Sequence, residues 1–429
     1  MPRSIRNFLA THNLLAVSAN YQESGINQEQ VLDTTFLADL NSVLNYRPLK
    51  TANREEMTGK EEADRLYDLG GSVAGSLAFS RAQPQHFAFL LAYALGEVNS
   101  SPMGAGHRHL IRPRGGEVDL ARSNPSFTAA MRFGRQVMKR RFASCFVDQV
   151  RVEFAKDGWA KITGIIKGTG KVTDNTCVDQ MSAAYNSNSL TLGNGVEGLS
   201  AAERLANVQA VKVLNPATQA WDEVNYTAVS GETPAVVTIS PPGGSSGNTA
   251  YRVYYLPRES GWMTFPERVE EPPLKVSQLR VNLGGRWNGS NFSGGHTPTA
   301  EVRRILWNFQ NNLSMERTPG GGDSASRAFR TGRDQRLSFD RDFRDFLMNQ
   351  SLKDNEYLGV YLKAVGPEFE AGLPYQVEII FPRVAATAAP VRVAQRRLAE
   401  EVEFAVLEDD AYGSVIVQVQ NQVGSYAAL

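Results

Sequence analysis

Hydrophobic and polar positions alternate with period two along much of this chain, the signature of strands with one buried and one solvated face. The cleanest instance runs from Phe146 to Phe154, where Phe146, Val150, Val152 and Phe154 stand against Gln149, Arg151 and Glu153. Asp157-Gly158 then supplies a turn signal and 159–166 returns, which predicts a β-hairpin. Further strands are predicted over 72–80, 126–133, 301–311, 336–339, 357–365 and 375–381. A last hairpin is predicted from 402–407 and 414–419 across 408–413. The helical period is rarer. Pro84 suits a first turn, Phe87, Leu90, Leu91, Ala94 and Leu95 share a face, and Gly96 is a stop. Phe343, Phe346 and Leu347 predict a second helix, and Leu32, Phe36 and Leu40 suggest helical turns within 27–44. Two charged stretches without clear period, 50–70 and 317–335, read as long exposed loops.

Set side by side, the two ends of the chain share an order: charged loop, strand, short helix, strand, then an alternating strand that turns and returns. VRVEFAKDGWAKITGIIKG in the first half lines up with VEFAVLEDDAYGSVIVQVQ in the second. The match lies in pattern and spacing rather than identity, and it reads as an internal duplication with units at 1–175 and 275–429. Between them, 208–214, 221–228, 235–240 and 250–256 are short strand candidates separated by Asn-Pro and Gly-rich turns. Turn signals at that spacing predict a small inserted β-sandwich-like domain at 185–258. The expected fold class is mainly β: duplicated β-sandwich or barrel units, each with a flanking α-helix, plus the insertion.

Composition narrows the function classes. Of 429 residues, 42% are hydrophobic and 21% charged, enough apolar content for a sizeable core. Lys plus Arg equals Asp plus Glu at 45 each, so the whole chain carries no electrostatic footprint for nucleic acid or an anionic membrane. Cys145 and Cys177 are too few for a disulfide framework and suit a reducing compartment. Asn7, His12 and Asn13 interrupt the N-terminal apolar residues, and no stretch has the length of a membrane span, so a soluble protein is expected.

Candidate chemistry is sparse. Gly193, Gly195 and Gly198 make a GxGxxG that follows a strand-like LTL and precedes a helix-like SAAERLA, the local order of a dinucleotide site. The segments after Leu214 are all β-like, which weighs against it. His107 and His109 would share one side of a strand and could ligate a metal, but Arg108, Arg112 and Arg114 surround them. Asp340, Asp342, Asp345, Asp354 and Glu356 fit a solvated, Arg-rich helix face better than a carboxylate pair. With no further catalytic motif, no enzyme activity and no cofactor are expected. Trp221, Tyr226, Tyr251, Tyr254 and Tyr255 leave open a surface-binding or decorating role for the insertion.

The segments FAFLLAYALG, HRHLIRP, PSFTAAMRFG and FVDQVRVEFAKDGWAKITGIIKGTG, with 301–322, YQVEIIFPRV and EEVEFAVLEDDAYGSVIVQVQNQV, stand in an order that resembles tail tube proteins of long-tailed bacteriophages. The resemblance covers about 50–175 and 275–429, and the insertion departs from the simplest family pattern. It implies a structural virion protein whose inner strands line a tube for genome ejection, assembled in the host cytoplasm and resident in the virion tail. Implied partners are further copies in stacked rings, the tape measure, the tail terminator and the baseplate or tip, with DNA passing through unbound. A duplicated chain would make a trimeric ring with pseudo-sixfold symmetry; the competing reading is a ring of six chains. The charged loops are then candidates for ring stacking: Arg54, Glu55, Glu56, Lys60, Glu61 and Glu62, net acidic, against Arg317, Asp323, Arg327, Arg330 and Arg333, net basic.

Overall fold

Alternation fixes which face of a strand is buried but not which strand lies beside it; the pairing is read from a computed structural model. It describes residues 9–115, 124–134, 138–241, 243, 247–258, 263–298, 301–394 and 396–428. The described residues are mainly strand, paired antiparallel in the ladders described below, and fall into two compact units. The larger holds 15–129, 142–172 and 265–429; the smaller holds 1–14, 130–141 and 173–264.

The larger unit is built on two layers of one connected sheet, called the first and second sheets below, which join where 384–388 pairs with 403–406. In the first, Val43–Ala52 pairs with Leu66–Phe79, which pairs with Lys161–Gly168, which pairs with the Met138–Ala155 strand. That strand then pairs with Val302–Gln310, setting Val152 against Trp307 and Phe154 against Ile305. Asp334–Asp342, Arg397–Val406 and Val391–Ala394 follow in turn. The first four strands come from the first half of the chain and the last four from the second, so one continuous sheet has its seam between halves. The second sheet runs from Gly96–Met103 through Gly106–Pro113, Ile416–Asn421, Leu373–Ala388 and Tyr357–Glu370 to Leu279–Trp287.

The core lies between them. From the first sheet, Leu44, Val73, Leu77, Ile162, Val150, Phe154, Ile305, Trp307, Phe309, Leu337, Phe339 and Phe404 are buried. Trp307 meets Phe381 of the second sheet edge to face at 5.3 Å. The Pro84–Leu95 helix is buried on every side. Pro sits at its start, Gln83 and His86 form a reciprocal cap, and Gly96 ends it at φ 94°, a conformation only Gly adopts cheaply. Phe87 stacks on Phe154 at 6.2 Å, and Leu90 lies so close to Gly164 that any side chain there would clash. Each fully buried Phe or Leu contributes roughly 1.5–3 kcal/mol.

The smaller unit has its own core of Leu190, Val211, Val213, Val237, Tyr251, Val253 and Tyr255. It packs a four-stranded sheet (Cys177–Ala184, Asn248–Tyr255, Val208–Leu214, Trp221–Glu223) with a three-stranded one (Ser189–Thr191, Val236–Ile239, Tyr226–Ser230). The predicted 221–228 strand is thus two strands in different sheets.

Several expectations are corrected. The 402–407 and 414–419 segments do not close on each other. Ile416–Asn421 pairs with 376–380 and 107–111, whereas Arg397–Val406 pairs with 336–342 and 384–388. Both alternate, but long-range partners on either side outcompete the local turn. The charged stretches are shorter as loops than they read. Strands reach Ala52 and restart at Leu66, and Arg327–Arg330 pairs with Leu313–Glu316 inside the second stretch. Those strands are solvated on both faces or very short, so no alternation marks them. Leu32, Phe36 and Leu40 form no helix; Thr34–Phe36 is a strand paired with Leu14–Val17. The second helix starts only at Leu347, and Asp340 and Asp342 belong to the preceding strand.

The glycine motif also loses its context. The strands flanking it, Ser189–Thr191 and Val208–Leu214, sit in separate antiparallel sheets, so the parallel βαβ unit of a dinucleotide site is missing among the described residues. The loop is filled by its own chain: Gly193 N–H donates to Asp179 Oδ2 at 2.6 Å, and a Cβ on Gly195 would strike the Glu232 carbonyl. Among the described residues no helix is long and apolar enough to cross a membrane.

Candidate assembly surface

The first sheet of the larger unit turns its second face outward. There Arg151 and Glu153 lie beside Arg304, whose Nε donates to Glu153 Oε1 at 2.9 Å, and Arg392 pairs with Asp340 at 2.7 Å. Asn308 sits between Arg151 and Arg336 in register. The face is polar, with both signs of charge interspersed and partnered, so it offers no strong field of one sign. The sheet is open at its Val43–Ala52 end, whereas at the other end Arg397–Val406 is covered by the short Val391–Ala394 strand and by 384–388 of the second sheet. Val43–Ala52 pairs on one side with Leu66–Phe79, and Val391–Ala394 pairs on one side with Arg397–Val406. Pro48 and a register slip between Pro48 and Lys50 interrupt the first edge, a device that blunts indiscriminate strand pairing.

The Val43–Ala52 and Leu66–Phe79 strands run on past the core as a ribbon exposed on both faces over 47–51 and 66–69. Leu49, Leu66, Tyr67 and Leu69 are exposed along it, and Met57 at its tip is fully so. A free two-stranded ribbon is marginal in water, and this one carries several exposed apolar side chains. The tip is nevertheless ordered. Asn53, buried, accepts from the Asp64 and Arg65 N–H groups at 3.1 Å each and donates to Asp64 Oδ1 at 3.0 Å. Lys60 Nζ pairs with Asp64 at 2.6 Å, which holds that carboxyl below its ordinary pKa, with the Asn53 hydrogen bond adding to it. Tyr67 Oη donates to Glu56 at 2.9 Å. Arg54, Glu55, Glu56, Lys60, Glu61 and Glu62 are all exposed on this scaffold, four carboxylates against two cations.

The second predicted set lies elsewhere than expected. Arg317 Nη2 donates to the Gly71 carbonyl at 2.5 Å, and Asp323 packs its backbone on Gly70. Both loops therefore leave the same end of the sheet and touch within one chain, rather than facing each other from opposite ends. Arg317, Asp323 and Arg327 are exposed. Arg330 is 8% exposed, with Nη1 donating to Asn124 Oδ1 at 3.1 Å. Arg333 Nη2 donates to the Leu95 and Arg114 carbonyls at 3.3 and 3.0 Å and so ties the helix end down. Burial, with Arg330 nearby, brings the Arg333 pKa down to about 10. These two are internal braces that the sequence could not distinguish from surface cations. Arg330→Glu is therefore expected to lower unfolding stability by about 2–4 kcal/mol, since a buried, hydrogen-bonded charge is reversed, and Arg333→Glu, at a half-buried but hydrogen-bonded position, by about 1–3 kcal/mol. Arg327→Glu should leave it within about 0.5 kcal/mol. Denaturant melts of the three variants check this; equal effects would mean that all three side chains are solvated.

The other candidates resolve into structure. His107 and His109 share a strand with rings 6.3 Å apart. His109 is buried between Ser100 Oγ at 2.8 Å and Asn421 Oδ1 at 3.0 Å, and desolvation draws its pKa down to about 4. No cluster of metal-ligating side chains occurs among the described residues. Asp345 pairs with Arg341, and Asp342 with Arg303. Of the insertion's aromatics, Tyr251 and Tyr255 are core, Tyr226 donates to the Val208 carbonyl, and Trp221 lies under the Arg252 guanidinium at 4.0 Å. No family model matches the chain, and no curated protein matches it.

Proposed function

We propose that this chain is a self-assembling structural subunit of a phage tail tube, not an enzyme, and that its rings stack into a conduit for genome ejection in the virion tail. The observation that carries the reading is the sheet that takes four strands from each half and ends in the ten-residue Val43–Ala52 edge, which pairs on one side only. Open edges of that length aggregate unless a defined assembly pairs them. The partnered, mixed-charge face suits a lumen that lets DNA slide without holding it. The exposed ribbon suits a contact between rings. Tape measure, terminator and tip proteins are its expected neighbours.

The ring is proposed as a trimer. Each half supplies a long hairpin, a helix and a second hairpin in the same order, so three chains present six similar units. Electron microscopy of the purified protein should show tubes, and a cryo-EM map should show threefold symmetry with two related folds per chain. True sixfold symmetry would replace the trimer by a six-chain ring, and monodisperse monomers at high concentration would remove the tube reading itself.

A further inference from the structure

If the basic loop shares an end with the acidic ribbon tip, the tip needs another receptor. Register locates it. Val73 pairs with Gly168 and Phe79 with Ile162, so the ribbon leaves the sheet at the end opposite the Lys156–Trp159 turn that precedes Lys161. From Leu66 to Phe79 is fourteen residues, a span of roughly 40 Å at the usual rise. A ribbon tip therefore cannot reach that turn in its own chain, but a copy stacked head to tail brings the two together.

At that far end lies a groove of ≈ 620 Å³. Its floor is apolar, from Phe154, Val281 and Ile305, and its rim carries Lys156, Lys275 and Arg280. Arg303 also lines it but is engaged by Asp342, and Asp157 is the one carboxylate of the lining. The rim is pinned: Lys156 N–H donates to the Arg303 carbonyl at 2.9 Å, Val276 N–H to Gly158 at 3.1 Å, and Lys275 lies over the Trp159 ring. We infer that this groove receives the ribbon tip of a second copy of the chain, with Met57 on the apolar floor and Glu55, Glu56, Glu61 and Glu62 facing the rim cations. The inference rests on the stacked-tube reading and names its contact. A head-to-tail interface of this kind is heterologous and does not close on itself, so it propagates along an axis. Methionine, unbranched and polarisable, fills such a floor without close shape matching.

The test uses the full chain in three forms, with tube formation followed by sedimentation and electron microscopy. Lys156→Glu/Lys275→Glu/Arg280→Glu should raise the concentration needed for tubes about tenfold or more, and Glu55→Lys/Glu56→Lys/Glu61→Lys should do the same. The tip variant changes only exposed residues, so it reads the contact even if the groove variant folds poorly. Joining all six substitutions in one chain should restore assembly. High salt should weaken the wild type and flatten these differences. Tubes from the groove variant at the wild-type concentration would overturn the groove contact while leaving the tube reading intact. Loss without restoration in the six-substituted chain would assign the groove to another occupant and equally overturn it. Absence of tubes from the wild type would sink both.

Discussion

Arg341→Met should cost the protein about 3–5 kcal/mol of unfolding stability, because it leaves a buried carboxylate without its partner. Arg341 and Glu400 are fully buried and face each other across neighbouring strands. Arg341 Nε and Nη2 reach Glu400 at 2.8 Å, Nη2 reaches Asp345 at 2.9 Å, and Asn349 Nδ2 donates to the other Glu400 oxygen at 2.7 Å. One guanidinium thus joins two strands of the first sheet to the second helix. Replacing both partners with apolar residues of similar volume, Arg341→Met with Glu400→Leu, should recover most of the loss, since desolvation of the pair then disappears along with its attraction. Denaturant titration of the single and double variants gives the answer. A single variant within 1 kcal/mol of wild type would mean that water reaches Glu400.

The second large effect is a pH dependence centred on Glu271. This carboxyl is 4% exposed and accepts the Gln85 N–H at 2.7 Å, at the first turn of the buried helix. Desolvation outweighs that hydrogen bond and pushes its pKa up to about 8. The neutral form is thus the native one. Its contribution is fully present below the ordinary carboxylate value of about 4.5 and is lost as pH rises through about 8, by at most on the order of 5 kcal/mol. His86 runs the other way. It is buried beside Phe79, and desolvation lowers its pKa to about 3, so its contribution is present above about 6.5 and is lost as pH falls toward 3. His109, near 4, adds to that acid limb. The wild type should be most stable near pH 6. Glu271→Gln should flatten the alkaline decline between pH 6 and 8 and leave the limb below about pH 4.5 unchanged. An alkaline slope identical in both proteins would show that Glu271 is ionised in the native state.

How much of this was legible beforehand differs by element. The 84–95 helix was, because Pro84, the apolar face and Gly96 are local signals that agree with one another. The hairpin across Asp157-Gly158 was, because turn and alternation coincide. The acidic tip was legible as charge but not as an ordered ribbon, since its strands are wet on both faces and its organiser is one buried Asn53. The receptor groove was invisible. Its floor comes from Phe154, Val281 and Ile305, and its rim from Lys156, Lys275 and Arg280, residues that become neighbours only after strand pairing.

By itself, then, the amino-acid sequence determined the mainly β class, the buried faces, the first helix and a separate β segment in the middle of the chain. Each depends on periodicity and turn chemistry within some twenty residues. Only the tertiary structure decided which strands pair across the seam at Val152 and Trp307 and where the last two strands part company. It also decided which arginines are braces and which are surface. An arginine in a charged loop reads the same whether it meets solvent or, like Arg333, two main-chain carbonyls. A strand's alternation is satisfied by any apolar partner, and the choice among partners belongs to the packing of the whole sheet.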